Sequence, residues 1–273
     1  NLICHYCGYT SGVPRKCSDC GSFIFSYGAP GTQQIEKQLK VVFPTARILR
    51  MDSDTTHKKD SYNSMFDRMR NGNIDILLGT QMISKGLDFA NVTLVGVVSA
   101  DLGLGFPDFR AAERTFQLLT QVAGRSGRGD KKGEVIIQTY NPEHYAIECA
   151  MNQDFESFAY KELSYRKTLH YPPFYRISRF VFSHENQKFL IANIDKNRKI
   201  FNHLKTQFDP IEINFLGPTP TPLVKLFNKY RYHIILKSKS ARILKRAVNI
   251  LKENLDFSNS IKMIIDTDPF SLM

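Results

Sequence analysis

The chain has 273 residues, of which 42% are hydrophobic and 23% charged, and its mean hydropathy is −0.29. This composition excludes collagen-like, disordered and membrane-embedded proteins, and the length suits one large domain or two of roughly 100–200 residues each. Residues 172–273 hold 17 basic against 8 acidic residues, +9 of the total net charge of +11, which favours a phosphate-bearing partner or a solvated basic face.

Residues 1–27 contain two Cys-x-x-Cys-Gly units, formed by Cys4 and Cys7 and by Cys17 and Cys20. Two thiolates three residues apart bind one metal from a tight turn, and sulfur ligands favour tetrahedral Zn²⁺. Free thiols, disulfides and a redox pair are weaker readings. The pairs lie closer together than the ~15–20 residues of a common zinc ribbon. Either the four cysteines share one zinc, or each pair is half of a site.

Residues 28–140 alternate helix-like and strand-like segments. Apolar residues recur with helical spacing from Ile35 to a stop at Phe43-Pro44, and again from Ala111 to Val122. Short apolar runs between turn residues predict four strands: Arg47–Met51, Ile74–Leu78, Val92–Val98 and Val135–Gln138. Near-continuous apolar strands that alternate with helices predict a buried parallel sheet in an α/β layer.

Residues 141–171 read as a mostly helical connector, helical from 148 to 168, which closes at Pro172-Pro173. Residues 172–273 have a different order of predicted elements. Strands are predicted at 175–183, 230–236 and 262–266 and helices at 188–206 and 241–255, with a Pro-rich turn after the first helix. This order predicts a small α+β domain with a mostly antiparallel sheet. The segments 1–27, 28–140, 141–171 and 172–273 are therefore the expected domains.

Two glycine-containing segments of residues 28–140 suit phosphate chemistry. Gly79-Thr80 follows a predicted strand and offers backbone N–H groups and a hydroxyl to a phosphate. Arg125 and Arg128 follow a predicted helix, and two guanidinium groups three residues apart suit a γ-phosphate. Taken separately, each segment is explained equally well as a phosphate-binding segment or as an ordinary surface turn.

Together, Gly79–Phe89 and Gln121–Gly129 resemble motifs V and VI of superfamily 2 helicases, on the second RecA-like lobe. The sequence is most similar to the primosomal replication-restart helicases, the PriA (primosomal protein N′) family, of which it resembles the C-terminal portion. Further matching segments run along the chain: Gly31–Leu39, Asp52–Thr56, Asp108–Arg114, Asn141–His144, Leu216–Pro218 and Asp266–Pro269. The resemblance implies a RecA-like second lobe with an inserted zinc module, followed by a small domain similar to ribosomal protein S10.

The resemblance also assigns roles to residues of this chain. The implied catalytic residues are Arg125, Arg128 and Gln121, with one arginine as the arginine finger. The residues implied to couple ATP to DNA are Gly86 and Asp88. DNA contacts are expected at Thr80 and Gln81, and the mixture of cations and aromatic residues in the basic region adds Arg176, Arg179, Lys229 and Arg231. Each aromatic residue there is otherwise a core residue of its strand. Two zinc ions are implied per full-length chain, with Cys4 and Cys7 completing one site and Cys17 and Cys20 the other.

No G-x-x-x-x-G-K-[ST] segment occurs in the sequence, so this chain alone is expected to be inactive, with Mg²⁺-ATP bound together with a first lobe. The implied function is that of an ATP-dependent 3′→5′ DNA helicase that recognises stalled forks, promotes primosome assembly and reloads the replicative helicase. Implied partners are branched and single-stranded DNA, single-strand-binding protein and primosome proteins, with no membrane, in the bacterial cytosol at the nucleoid. The alternatives are a non-catalytic, zinc-containing nucleic-acid scaffold and a single-zinc RNA-binding module.

Overall fold

A computed structural model describes residues 2–4, 9–18, 20–23, 31–51, 67–69, 71–80, 92–124 and 133–273. The chain forms two compact units. The α/β unit comprises Phe25–Phe106 and Ala111–Phe158, and the C-terminal unit comprises Asn1–Ile24, Pro107–Arg110 and Ala159–Met273. Within the described ranges, no helix is both long and apolar enough to cross a membrane.

The C-terminal unit includes a short antiparallel pair near the start of the chain, β1 (Leu2–Ile3) and β2 (Thr10–Ser11). The α/β unit contains the next four strands: β3 (Ile48–Met51), β4 (Ile76–Gly79), β5 (Leu94–Val97) and β6 (Glu134–Ile137). Its helices with both ends among the described residues include α1 (Thr32–Val42), α2 (Asp101–Leu104), α3 (Ala111–Ala123) and α4 (Tyr145–Met151). The two predicted helices and four predicted strands are confirmed, with ends shifted by a few residues.

The strands of the α/β unit pair in parallel, as their apolar pattern predicts. β3 pairs with β4 from Ile48 opposite Ile76, and β5 pairs with β6 from Leu94 opposite Glu134. Arg47 and Asp75 clamp the starts of β3 and β4, because the guanidinium Nη2 lies 2.7 Å from one carboxylate oxygen and the backbone N–H donates to the other at 2.7 Å. This bidentate contact holds the pKa of Asp75 well below its usual range.

The prediction of a buried sheet is wrong for β5 and β6. Alternate residues of β5 and β6 are exposed, and Leu94 is 55% and Ile136 54% exposed. The opposite face of these strands packs through Val97 and Ile137 on a core that α3, α4 and Phe158 provide. The two strands are thus covered on one side, and alternation replaces the continuous burial that their apolar composition suggests.

The connector is also different from the prediction, because it forms two helices rather than one. α4 ends at Met151, and α5 (Phe155–Thr168) begins after Asn152, Gln153 and Asp154. The Asp154 carboxylate accepts a hydrogen bond from the Ser157 backbone N–H, 2.9 Å away, as an N-terminal cap does. Gln153 has a φ of 53°, which breaks the helical run at this point.

The C-terminal unit is built on a four-stranded antiparallel sheet with two helices. In chain order its elements are β7 (Arg176–His184), α6 (Gln187–Lys205), β8 (Ile213–Leu226), β9 (Lys229–Ser238), α7 (Ala241–Asn254) and β10 (Lys262–Thr267), and the strand order is β10-β7-β9-β8. The side chains of Asn186 and Ser240 cap α6 and α7 by accepting from backbone N–H groups of the first turn. The predicted α+β class with an antiparallel sheet is confirmed.

One strand of this sheet is missing from the prediction. Residues 213–226 were expected to contain a Pro-rich turn, but they form β8 at the sheet edge. Pro218, Pro220 and Pro222 alternate along it, and an edge strand tolerates proline because only one side of its backbone must donate to a neighbour. Gly217, with a φ of 91°, lies where β8 is irregular, and a Cβ there would meet the carbonyl oxygen of His233 at 2.6 Å.

Candidate nucleic-acid interface

The C-terminal sheet has one apolar face and one face on which polar and apolar residues are mixed. Phe180 and Phe182 of β7 and Ile234 and Leu236 of β9 are fully or almost fully buried in one cluster with α6 and α7. Side chains alternate along a strand, so the intervening residues belong to the opposite face. That face carries the cations Arg179, Arg231 and Lys237 of the two central strands, together with the imidazole of His233.

Arg179, one of the predicted DNA contacts, lies inside the domain and is only 3% exposed. Its Nε lies 3.1 Å from His233 Nδ1, and its Nη1 donates to the main-chain oxygen of Met273 at 2.9 Å. Leu272 is completely buried beside it in a second cluster with Ile235. Leu272 and Met273 therefore cover this part of the mixed face, and Arg179 joins them to the sheet instead of facing solvent.

Lys237 is a second buried cation, which the sequence reasoning missed. Its Nζ donates to the Leu169 carbonyl at 3.1 Å and lies 3.4 Å from the ring centroid of Tyr171. Burial lowers the pKa of Lys237 to about 8, because a desolvated ammonium group loses its proton more readily. The available signal was a lysine that interrupts the apolar run of β9.

The remaining predicted contacts of this region lie nearer the surface. Arg176 is exposed and pairs with Asp268, the two side chains meeting at 3.0 Å. Lys229 and Arg231 are partly buried near the start of β9, and desolvation lowers the pKa of Arg231. These three cations can reach a phosphate backbone without leaving the fold, whereas Arg179 must first break its internal hydrogen bonds.

The predicted nucleotide segments are described only in part. Thr80 is exposed directly after β4, at the carboxyl end of the β3–β4 pair, where α/β sheets bind their ligands. Gln121 is exposed in the last turn of α3. The other predicted residues of these segments, which are Gln81, Gly86, Asp88, Arg125 and Arg128, lie outside the described residues.

The carboxyl ends of β5 and β6 carry a polar network that the sequence reasoning did not single out. One Asp101 carboxylate oxygen accepts from the Thr139 hydroxyl at 2.9 Å and the other from the Tyr140 backbone N–H at 3.0 Å. Burial opposes ionisation here, but these hydrogen bonds outweigh it and the pKa of Asp101 falls below its usual value. Asp101 thus joins the segments that follow the two strands.

The first cysteine of each segment donates a backbone hydrogen bond to a residue five positions further along the chain. The Cys4 N–H donates to the Tyr9 carbonyl at 2.8 Å, and the Cys17 N–H donates to the Ser22 carbonyl at 2.9 Å. Gly21 closes the second turn with a φ of 71°, a conformation that glycine adopts without strain. Cys17 and Cys20 present two soft donors on this turn, half of a tetrahedral zinc set, and Cys7 lies outside the described residues. Among the described side chains, no group of three or more potential ligands comes together.

The chain matches two protein-family models and is similar to several known proteins. Residues 22–130 match the family described as helicase conserved C-terminal domain, and residues 167–270 match primosomal protein N C-terminal domain. Replication restart protein PriA of Bacillus subtilis (strain 168) is 42% identical over 276 residues, and those of Borreliella burgdorferi and Haemophilus influenzae are 40% and 35% identical. These alignments cover 99–100% of this chain and 34%, 40% and 37% of the respective relatives, so the chain spans about a third to two fifths of their length.

Proposed function

This chain belongs to the family of replication restart proteins named PriA, and from that premise we propose that it is the C-terminal part of an ATP-dependent 3′→5′ DNA helicase. The enzyme recognises stalled replication forks, promotes primosome assembly and reloads the replicative helicase. The observation that carries the proposal is the similarity to replication restart proteins along the whole chain. The parallel strand pairs and the basic antiparallel domain agree with the motor and DNA-binding roles.

The α/β unit provides the second RecA-like lobe of the motor in this proposal. Gln121 in the last turn of α3, with Arg125 and Arg128 beyond it, faces Mg²⁺-ATP that a first lobe holds. An arginine finger at either arginine stabilises the charge that develops on the γ-phosphate, an effect worth about 10³–10⁵ in rate in related systems. Gly86 and Asp88 couple the nucleotide state to DNA.

The DNA contacts of the proposed helicase are divided between the units. Thr80 and Gln81 touch the backbone of the single strand from the end of β4. Arg176, Lys229 and Arg231 bind phosphates from the C-terminal domain, which is S10-like, and Arg179 supports that surface from inside. A fork is recognised by shape and charge rather than by base sequence, so contacts to phosphates suffice.

Zinc has a structural role in the proposal. Cys4 and Cys7 supply half of one site, and Cys17 and Cys20 half of another, so that the full-length chain binds two zinc ions. A closed sulfur site stabilises a surface module and does not activate water. The turns closed by the Cys4 and Cys17 N–H groups support this assignment. Single-strand-binding protein and primosome proteins are the proposed partners, in the bacterial cytosol at the nucleoid.

The arginine finger offers the decisive test. In the full-length protein, Arg128→Ala should lower fork-stimulated ATP hydrolysis by about 10³-fold or more, because the transition-state charge loses its partner. Fork affinity without nucleotide should stay unchanged. Arg198→Ala, which removes an exposed arginine paired with Asp195 on α6, is the matched control and should hydrolyse ATP normally. Because the finger is at either arginine, Arg125→Ala is measured alongside. Full hydrolysis by both single variants would remove the arginine finger from this lobe, and absence of ATP hydrolysis in the parent protein would favour the non-catalytic scaffold.

A further inference from the structure

The hairpin of β8 and β9 ends in an exposed aromatic residue. Leu226 pairs with Lys229, so Phe227 and Asn228 are the two residues of the turn. Their φ angles are 48° and 62°, and both lie in the left-handed region that a type I′ hairpin turn requires. The Phe227 side chain is 90% exposed. We define residues 223–231 as the hairpin tip.

Folding alone does not favour phenylalanine at this position. Left-handed φ angles are uncommon for bulky residues, and the first position of a type I′ turn prefers Asn, Asp or Gly. A ring that stays 90% exposed gains little from burial to compensate. A residue that is strained and exposed in this way points to a role outside the folded core.

The tip is also basic on both strands. Lys225 lies opposite Tyr230, with its Nζ 5.1 Å from the ring centroid, and Lys229 directly follows the turn. Arg231 is the next cation along β9. The sequence contains no Asp or Glu between Glu212 and Glu253, so no acidic residue of this stretch offsets these charges.

An exposed apolar side chain flanked by cations is suited to bind a nucleic acid at the point where its two strands separate. Leu223 and Leu226 add exposed apolar surface beside Phe227, at 42% and 37% exposure. The first unpaired base of a fork offers one aromatic face, and the phosphates on each side of it offer negative charge. Aromatic side chains stack on any base, so such a contact needs no particular sequence.

We propose that Phe227 stacks on the first unpaired base of a DNA fork while Lys225 and Lys229 bind the adjacent phosphates. The choice of DNA as the ligand rests on the proposed function. The hairpin tip thereby reads the junction between double and single strand, a task that the phosphate-binding cations of the domain do not perform.

Equilibrium binding to three DNAs tests this contact. Fluorescence anisotropy would measure the affinity of the full-length protein, without nucleotide, for a fork, a single strand and a blunt duplex. Phe227→Ala should weaken fork and single-strand binding by about 5- to 100-fold, the range for loss of one base–aromatic stack, and leave duplex binding unchanged. Phe227→Tyr should bind as the parent does. Tyr160→Ala, which removes another aromatic side chain that is 79% exposed, is the matched control and should change none of the three.

A second variant separates binding from folding. Phe227→Asn places a residue that tolerates left-handed φ in the turn, so the melting temperature should rise by about 2 °C or remain the same. Its fork affinity should fall as far as that of Phe227→Ala. A stable protein with weakened fork binding excludes misfolding as the cause.

Several results would overturn the proposal. Unchanged fork binding by Phe227→Ala, or an equal loss on all three DNAs, means that the ring does not stack on an unpaired base. Loss of binding to anionic vesicles by this variant, with fork binding intact, would assign the tip to a membrane surface instead. The arginine-finger result is independent, because full ATP hydrolysis by both Arg125→Ala and Arg128→Ala would contradict the proposed role of the α/β unit and leave these affinities as they are.

Discussion

The α/β unit and the C-terminal unit place their candidate residues differently. In the α/β unit the described strands have four residues each, and Thr80, Asp101 and Thr139 lie where strands end. In the C-terminal unit β7 and β9 have nine and ten residues, and their cations lie along the strands and at the hairpin tip. Residues at strand ends can act together with residues of another domain, as transfer of a phosphoryl group requires. Cations on a long sheet keep a fixed spacing, as binding to a polymer requires.

The largest expected difference is between the buried face of the C-terminal sheet and the open face of β5. Phe180→Ala removes a fully buried ring from the apolar face of the C-terminal sheet. The free energy of unfolding of the C-terminal unit should fall by about 3–5 kcal/mol. Leu94→Ala, on the open face of β5, should cost about 0.5 kcal/mol because that side chain is 55% exposed. Urea unfolding of each variant measures both. Equal losses would show that the open face of β5 is covered in the native protein.

Lys237 should make the stability of the C-terminal unit depend on pH. Its folded pKa of about 8 lies below its ordinary value of 10.5, so between these pH values the unfolded state holds more protons. The free energy of unfolding should therefore rise with pH across this window, by up to about 3 kcal/mol. Lys237→Met should remove that rise, and the difference between the two proteins cancels the other titrating groups. Parallel curves for both proteins would refute the depressed pKa.

The smallest expected effect on stability is at Arg176. Its ion pair with Asp268 is exposed on both sides, at 57% and 47%, so Arg176→Ala should change the free energy of unfolding by less than about 1 kcal/mol. As a phosphate contact, the same arginine should account for about 0.9 of the slope of log affinity against log salt concentration. Fork titrations at several salt concentrations measure this slope. An unaltered slope would remove Arg176 from the DNA interface.

Most elements of the fold follow from local pattern. The four short strands and the helices α1, α3, α6 and α7 were predicted within a few residues, because apolar periodicity and turn residues act over short distances. β8 was missed because proline argues against a strand unless the strand lies at a sheet edge, and an edge is defined only by the other strands. The open face of β5 and β6 was also missed, because the elements that cover a sheet face are defined only by the tertiary structure.

The candidate site is predictable in part. The cysteine segments, Thr80 and Gln121 are predicted site residues from spacing and resemblance, and the described structure places Thr80 at a strand end and Gln121 in an exposed helix turn. Lys237 was not found, since a single lysine in an apolar run carries no motif. The sequence does not single out Phe227, because its left-handed φ is a property of the folded hairpin.

The sequence by itself determined the element types, the basic character of residues 172–273 and the family, because composition, periodicity and motifs are local properties of the chain. Only the tertiary structure decided which cations face solvent. Arg176 and Arg179 are three residues apart on β7, yet one is exposed and the other holds Met273 inside the domain. The reason is physical: Arg179 lies within β7, where Leu272 and Met273 cover it, whereas Arg176 is the first residue of the strand and meets the exposed Asp268 side chain.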